Sequence, residues 1–216
     1  MFRALVLSAA AAGLVGGLAA AGYQLAVVTP LILEAEIFEH GGPGIAPPAE
    51  LEPLRYLLTA LATIVTAAGW ALILLGLLLV DGGRIGWRRA LAWGVAGFVA
   101  VAVAPAIGLP PELPGMPAAE VEARQLWWAV TVIATAFGLW ALLARGTPLF
   151  IALGLAAILA PHLLGAPQPP GHDTDVPAAL AGHFVAVSLA GSLLMWALTS
   201  ASAGALFARF AGAGDD

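Results

Sequence analysis

The stretch that decides the fold is LRYLLTALATIVTAAGWALILLGLLLV at residues 54–80, in which Arg55 is the single charged residue. About 20 consecutive apolar residues are enough to cross the ~30 Å hydrocarbon core of a bilayer as a helix. A helix on the surface of a soluble protein keeps a polar face, whereas residues 56–80 are apolar on every face. The stretch therefore predicts a membrane-spanning α-helix.

The composition of the whole chain agrees with this interpretation. Of the 216 residues, 61% are hydrophobic and only 10% are charged. A soluble domain of this length needs a charged and polar shell, which so few ionisable groups cannot supply. The composition excludes an ordinary soluble enzyme and a nucleic-acid binder with a basic face. The absence of cysteine excludes disulfides and thiolate metal sites.

Further apolar runs of similar length occupy most of the chain. Together with the first one they cover residues 4–28, 54–80, 87–108, 125–144, 147–164 and 178–207. None shows the alternating pattern of a transmembrane β-barrel. The sequence therefore predicts an all-α integral membrane protein, a six-helix transmembrane bundle that forms a single domain over residues 1–216.

The arginines predict the orientation of this bundle, because cytoplasmic loops collect positive charge. With the N-terminus inside, only Arg55 and Arg124 lie outside. The arginines on the inside are then Arg3, Arg84, Arg88, Arg89, Arg145 and Arg209. Both termini are therefore predicted to be cytoplasmic. The loops at residues 41–53, 109–117 and 165–177 then lie outside, are rich in proline, and carry or adjoin most of the acidic residues and all four histidines.

A short motif recurs at the ends of two helices. Ala104-Pro105 ends the third run and Ala160-Pro161 ends the fifth, and the same offset places Pro114 on Pro170. A looser copy begins at Pro30. One interpretation is chance in a chain rich in alanine, proline and glycine. The other is three helical hairpins stacked as repeats with proline-rich outer loops, a pattern found in transporters.

Residues that favour metal ligation gather near the outer ends of the fifth and sixth runs. His162 and His183 lie within apolar segments, where an imidazole is costly unless it has a partner, and His172-Asp173 lies in the loop between them. Glu34 is the most deeply placed acid after the first run. Nitrogen and oxygen ligands of this kind suit cobalt, nickel, copper or zinc better than calcium or magnesium. We therefore predict a metal site of His162, His183, Glu34, His172 and Asp173.

Simpler interpretations remain open for each of these residues. His172 and Asp173 also fit a solvated loop, and His183 also fits a helix cap or an anchor at the membrane interface. Glu34 also fits an amphipathic segment lying along the bilayer. The seven tryptophans, Trp127 among them, are interpreted as an interfacial belt.

Three segments resemble a known family. These are TPLILEAE at residues 29–36, APAIGLPPELPG at 104–115 and APHLLGAPQP at 160–169. They are similar to the CbtA family of proposed cobalt transporter subunits. The resemblance implies a multi-pass protein of the inner membrane that imports cobalt for cobalamin synthesis. It also implies a small single-helix partner subunit, CbtB, with a histidine-rich metal motif.

Two classes of function follow from these observations. The first is a subunit of a membrane transporter for a divalent transition-metal ion, with cobalt as the transported substrate and nickel or zinc as alternatives. It would have no ATPase of its own, because no phosphate-binding loop motif occurs. The second is a structural or assembly subunit that binds a partner protein through its outer loops. Neither class has catalytic residues, an organic cofactor or a nucleic-acid partner, and both place the chain in the lipid bilayer.

Overall fold

The computed structural model describes residues 1–39, 52–171 and 173–212, and these residues form helices and loops without a β-strand. The α-helices are α1 (Phe2–Tyr23), α2 (Thr29–Glu39), α3 (Glu52–Asp81), α4 (Trp87–Phe98), α5 (Ala104–Gly108), α6 (Val121–Trp140), α7 (Pro148–Leu164) and α8 (Ala178–Gly212). π-Helical segments at Gln24–Val28, Val99–Val103 and Ala141–Arg145 continue α1, α4 and α6.

Within the described ranges, five helical stretches are long and apolar enough to cross a membrane. They are Phe2–Phe38, Pro53–Asp81, Trp87–Gly108, Val121–Leu143 and Ala178–Gly212. The fifth predicted run, residues 147–164, is also helical, but α7 has only 17 residues, against the ~20 that a span needs. The predicted all-helical fold is therefore confirmed in the described residues, with five or six apolar helices that could span a membrane. The predicted hairpin repeat, the cytoplasmic termini and the single domain stay predictions.

The first helix does not end at Val28, where the apolar run was predicted to stop. It continues through Gln24–Val28 into α2, because a π-helical turn precedes Pro30. The N–H of Thr29 bonds to the carbonyl of Gln24, five residues back. Proline has no N–H and its ring clashes with the carbonyl four residues earlier, so a widened turn lets the helix pass it.

The same arrangement precedes Pro105. The N–H of Ala104 bonds to the carbonyl of Val99, again five residues back, before α5 begins. Two of the helices that carry the predicted repeat motif thus share a π-helical turn immediately before it. In α7, by contrast, Pro161 lies inside a regular α-helix.

The chain divides into two compact units. Among the described residues, unit 1 contains residues 1–30, 52–95 and 190–212, and unit 2 contains residues 31–39, 96–171 and 173–189. Every described residue of the predicted metal site therefore belongs to unit 2. Unit 1 holds a core of alanine and leucine that includes Leu75 and Leu78.

In unit 1, α1 packs closely against α3 because α1 presents glycine at the contact. A Cβ atom on Gly13 would lie 2.5 Å from the Cβ atom of Ala68 and 2.7 Å from its backbone nitrogen. A Cβ atom on Gly17 would lie 2.5 Å from the Cα atom of Ile64. Helices in membranes associate largely through such close packing of small residues, since lipid supplies little hydrophobic driving force between them.

In unit 2, α6 and α7 form an antiparallel pair. Gly146 has a positive φ of 59° and reverses the chain, and the Thr147 hydroxyl accepts a hydrogen bond from the Phe150 N–H to begin α7. Farther along, a Cβ atom on Gly138 would lie 2.7 Å from the carbonyl oxygen of Gly154. The absence of side chains at this point lets the two helices meet.

Replacing Gly13 with alanine tests the close packing of unit 1. We expect Gly13→Ala to lower the thermal unfolding midpoint in detergent, because the new methyl group must push the α3 backbone away, at a cost of about 1–3 kcal/mol. Gly22→Ala on the same helix is the matched control, since nothing lies within 4 Å of its Cβ position. Equal midpoints for the two variants would contradict the close contact.

Candidate functional site

His162 lies in the last turn of α7, and its ring nitrogens have no hydrogen-bond partner. Both Nδ1 and Nε2 are buried and unpaired within the part of the chain that the structure describes. The ring meets Trp127 edge to face, with the ring centroids 5.8 Å apart and the planes at 72°. A buried polar atom without a partner is costly, and the sites where natural proteins retain one are often functional.

Trp127 fixes this end of α7 to α6. Its indole Nε1 donates a hydrogen bond to the carbonyl oxygen of Pro161 at 3.3 Å. Gly108, at the end of α5, leaves room for the indole, since a Cβ atom there would lie 2.6 Å from its Cη2 atom. The belt interpretation therefore missed the contacts of Trp127. Its indole bonds to Pro161, the residue before His162, and contacts the ring of His162.

The two described proline-rich loops of unit 2 contact each other beside this site. Loop 109–120 connects α5 to α6, and loop 165–177 connects α7 to α8. The hydroxyl of Thr174 donates to the carbonyl oxygen of Gly115 at 2.9 Å. An ion pair of 2.8 Å between Glu112 and Arg124 ties loop 109–120 to the first turn of α6. The loops are therefore braced rather than independent.

The helix ends that lead into these loops have the same hydrogen bond. The N–H of Leu109 bonds to the carbonyl of Pro105 at 2.8 Å, and the N–H of Gly165 bonds to the carbonyl of Pro161 at 3.1 Å. The offset between these pairs equals the offset of the predicted repeat. The likeness is local, because it covers the helix end and not the whole hairpin.

The other predicted ligands do not gather around His162. Glu34 in α2, Asp173 in loop 165–177 and His183 in α8 are exposed, and His172 lies outside the described residues. The described residues contain no group of three or more histidine, aspartate and glutamate side chains placed to hold a metal ion. Of the four described residues, His162 is the half-buried one, with both ring nitrogens buried, and the five-residue metal site stays a prediction.

The sequence interpretation also missed two buried threonines on α6. Thr131 and Thr135 are 0% and 1% exposed, and neither hydroxyl has a partner in the described chain. A threonine inside an apolar run does not by itself indicate a functional site, because its hydroxyl usually bonds to the backbone of its own helix. The available signal was the spacing: Trp127, Thr131 and Thr135 follow one another every four residues and so share one side of the helix.

Comparison with known proteins gives one match. A family model described as "Probable cobalt transporter subunit (CbtA)" matches residues 2–208, which is nearly the whole chain. The resemblance observed at the proline-bounded segments is therefore confirmed. No curated protein and no solved structure matches the chain.

The unpaired nitrogens of His162 lead to a prediction about stability. We expect His162→Phe to raise the thermal unfolding midpoint in detergent, because it removes buried polar atoms that cost about 1–3 kcal/mol when unsatisfied. His183→Phe is the control, since its exposed ring gives no such gain. A lower midpoint for His162→Phe would mean that the imidazole has a bonded partner in the folded protein.

Proposed function

The chain belongs to the CbtA family of probable cobalt transporter subunits, and on this premise we propose that it imports cobalt through the inner membrane for cobalamin synthesis. Family membership and the apolar helices make it a multi-pass membrane protein and a subunit of a metal transporter. The single observation that supports a role for this chain in handling the ion is the buried imidazole of His162 with two unpaired nitrogens.

Imidazole is a suitable ligand for this ion. Neutral imidazole nitrogen binds divalent cobalt, nickel and zinc, whereas calcium and magnesium prefer oxygen. Without thiolates in the ligand set, an ion can leave again, as transport requires. Trp127 restricts the ring of His162 from one side, so the ring is held in place before the ion arrives.

We propose that the remaining ligands are Glu34, His183, His172 and Asp173. The three that the structure describes are exposed, and in this proposal they meet the arriving hydrated ion first. His162 is the buried ligand that receives the ion next. Nickel or zinc would bind the same donors, so the choice of cobalt rests on the family and not on the ligand types.

A partner subunit fits this proposal. The family description calls the chain a subunit, and no phosphate-binding loop occurs in the sequence. We propose that it acts with the small single-helix subunit CbtB and without an ATPase of its own. Exposed leucine and isoleucine side chains on α3, α6 and α7 suit contact with lipid and with such a helix.

The second candidate is an assembly subunit that binds a partner protein through its outer loops. The braced contact between Thr174 and Gly115 favours it, because a preformed loop surface loses little conformational freedom on binding. Purified protein separates the two candidates. With cobalt at 100 times the dissociation constant, the free energy of unfolding of a cobalt transporter should rise by ~2.7 kcal/mol, and its unfolding midpoint should rise with it. An assembly subunit should show neither change.

The decisive experiment is uptake of labelled cobalt into cells that express the chain with and without its companion subunit. We expect the wild type to accumulate cobalt and His162→Ala to lose at least about tenfold of the uptake rate, since removing even a residue that only orients a metal ligand commonly costs a factor of about 10–100. His40→Ala is the control, because that histidine has no assigned role. Normal uptake by folded His162→Ala would leave the assembly role as the better explanation.

The orientation is tested by single cysteines, because the natural chain has none. With both termini cytoplasmic, cysteine at Ala118 or Ala178 should react with a membrane-impermeant thiol reagent applied to intact cells. Cysteine at Gly86 should react only after the cells are opened. Ala118 and Ala178 are exposed, and nothing lies within 4 Å of the Cβ position of Gly86, so the substitutions fit. Labelling of Gly86→Cys in intact cells would reverse the orientation.

A further inference from the structure

Two hydroxyl groups in unit 2 have no role in the proposed metal site. The side chains of Thr131 and Thr135 are 0% and 1% exposed, and their Oγ1 atoms lack a partner in the described chain. Some hydroxyls elsewhere bond within their own helix: that of Thr63 donates to the Thr59 carbonyl at 2.8 Å, and that of Ser200 donates to the Trp196 carbonyl at 2.6 Å. The buried hydroxyls of Ser8, Ser188 and Thr199 are unpaired, as those of Thr131 and Thr135 are. Thr131 and Thr135 differ from these three because they share one side of α6 with Trp127, whose ring contacts His162.

The contacts of α6 show which way these hydroxyls face. Trp127 contacts the end of α7 through Pro161, and Trp128 donates a hydrogen bond to the Val101 carbonyl at 3.2 Å. Successive residues of an α-helix are rotated by about 100° around the helix axis. Around the axis of α6, Thr131 and Thr135 therefore lie about 40° and 80° from Trp127, and Trp128 lies about 100° from Trp127. Both threonines therefore face the seam between α7 and the π-helical segment Val99–Val103.

This seam carries polar atoms along its length. His162 lies at the α7 end with two unpaired nitrogens, and Thr131 and Thr135 follow at one-turn intervals. The Val101 carbonyl, which belongs to the π-helical segment, accepts a bond from outside its own helix. A row of polar atoms at membrane depth suits contact with water or an ion, because hydrocarbon cannot satisfy them.

We propose that Thr131 and Thr135 line a hydrated passage that leads from His162 along the seam and carries a hydrated divalent cation. The inference rests on the proposed function for the identity of that cation. Hydroxyl oxygens are weak ligands that bond to the water around an ion, so they let it move on after His162 releases it. A passage needs such weak sites, since a strong ligand at each step would retain the ion.

Single cysteines test whether the seam holds water. Thr131→Cys and Thr135→Cys should react with 2-aminoethyl methanethiosulfonate at least about tenfold faster than Ser8→Cys, because the ionised thiol attacks the sulfur of the reagent and displaces methanesulfinate, and the thiol ionises only where water reaches it. Ser8 is the matched control: its side chain is 0% exposed, its hydroxyl is also unpaired, and it lies in unit 1 beside the alanine and leucine core. Equal slow labelling would overturn the passage. Before labelling, each variant is checked for correct folding by size-exclusion chromatography, where it should elute at the same volume as the wild type.

Cobalt uptake supplies the second measurement. Thr135→Val, which removes the hydroxyl and keeps the shape, should lose at least about tenfold in uptake rate, and Thr135→Ser should retain it. Wild-type uptake by Thr135→Val would overturn the passage even if Thr135→Cys is labelled. Should the wild type import no cobalt, the proposed function fails, and the labelling comparison alone decides whether the passage exists. The two failures are thus distinguishable.

Discussion

A polar group inside a bilayer must find its partner within the protein, because hydrocarbon offers none. This constraint explains why the apolar runs are helices, in which each backbone N–H bonds within its own segment. It also explains the glycines of α1, since small residues let helices gain close contact where lipid gives no hydrophobic drive. Among the buried polar side chains that lack a partner in the described chain, His162, Thr131 and Thr135 belong to the packed helices α6 and α7 of unit 2, and the functional argument depends on them.

Proline is the other test of this constraint, because it removes a backbone donor from a helix. The helices of this chain accommodate proline in two ways. Before Pro30 and Pro105 the helix widens into a π-helical turn and continues. At Pro161 the helix stays regular, and the proline carbonyl accepts bonds from the Gly165 N–H and from the indole of Trp127. The second solution places an aromatic ring beside His162.

Much of the fold was readable from the sequence. Residues 87–108 were predicted as a run and form a helical stretch with the same bounds, because charge and loop residues mark both ends. The predicted end of the first helix at Val28 was wrong. The sequence Thr29-Pro30 resembles a helix end, and the π-helical turn that lets the helix continue has no sequence signal. The site was less predictable. When a helix is apolar on every face, periodicity cannot say that His162 points inward and His183 does not.

The proline-rich loops have one more consequence, which concerns their resistance to proteases. A protease binds its substrate as an extended strand, through hydrogen bonds to successive backbone N–H groups. Loop 109–120 has prolines at positions 110, 111, 114 and 117, and loop 165–177 has them at 167, 169, 170 and 177, so such a strand is interrupted every few residues. The bond between Thr174 and Gly115 further resists the extension that cleavage requires. Both loops are therefore expected to be poor protease substrates.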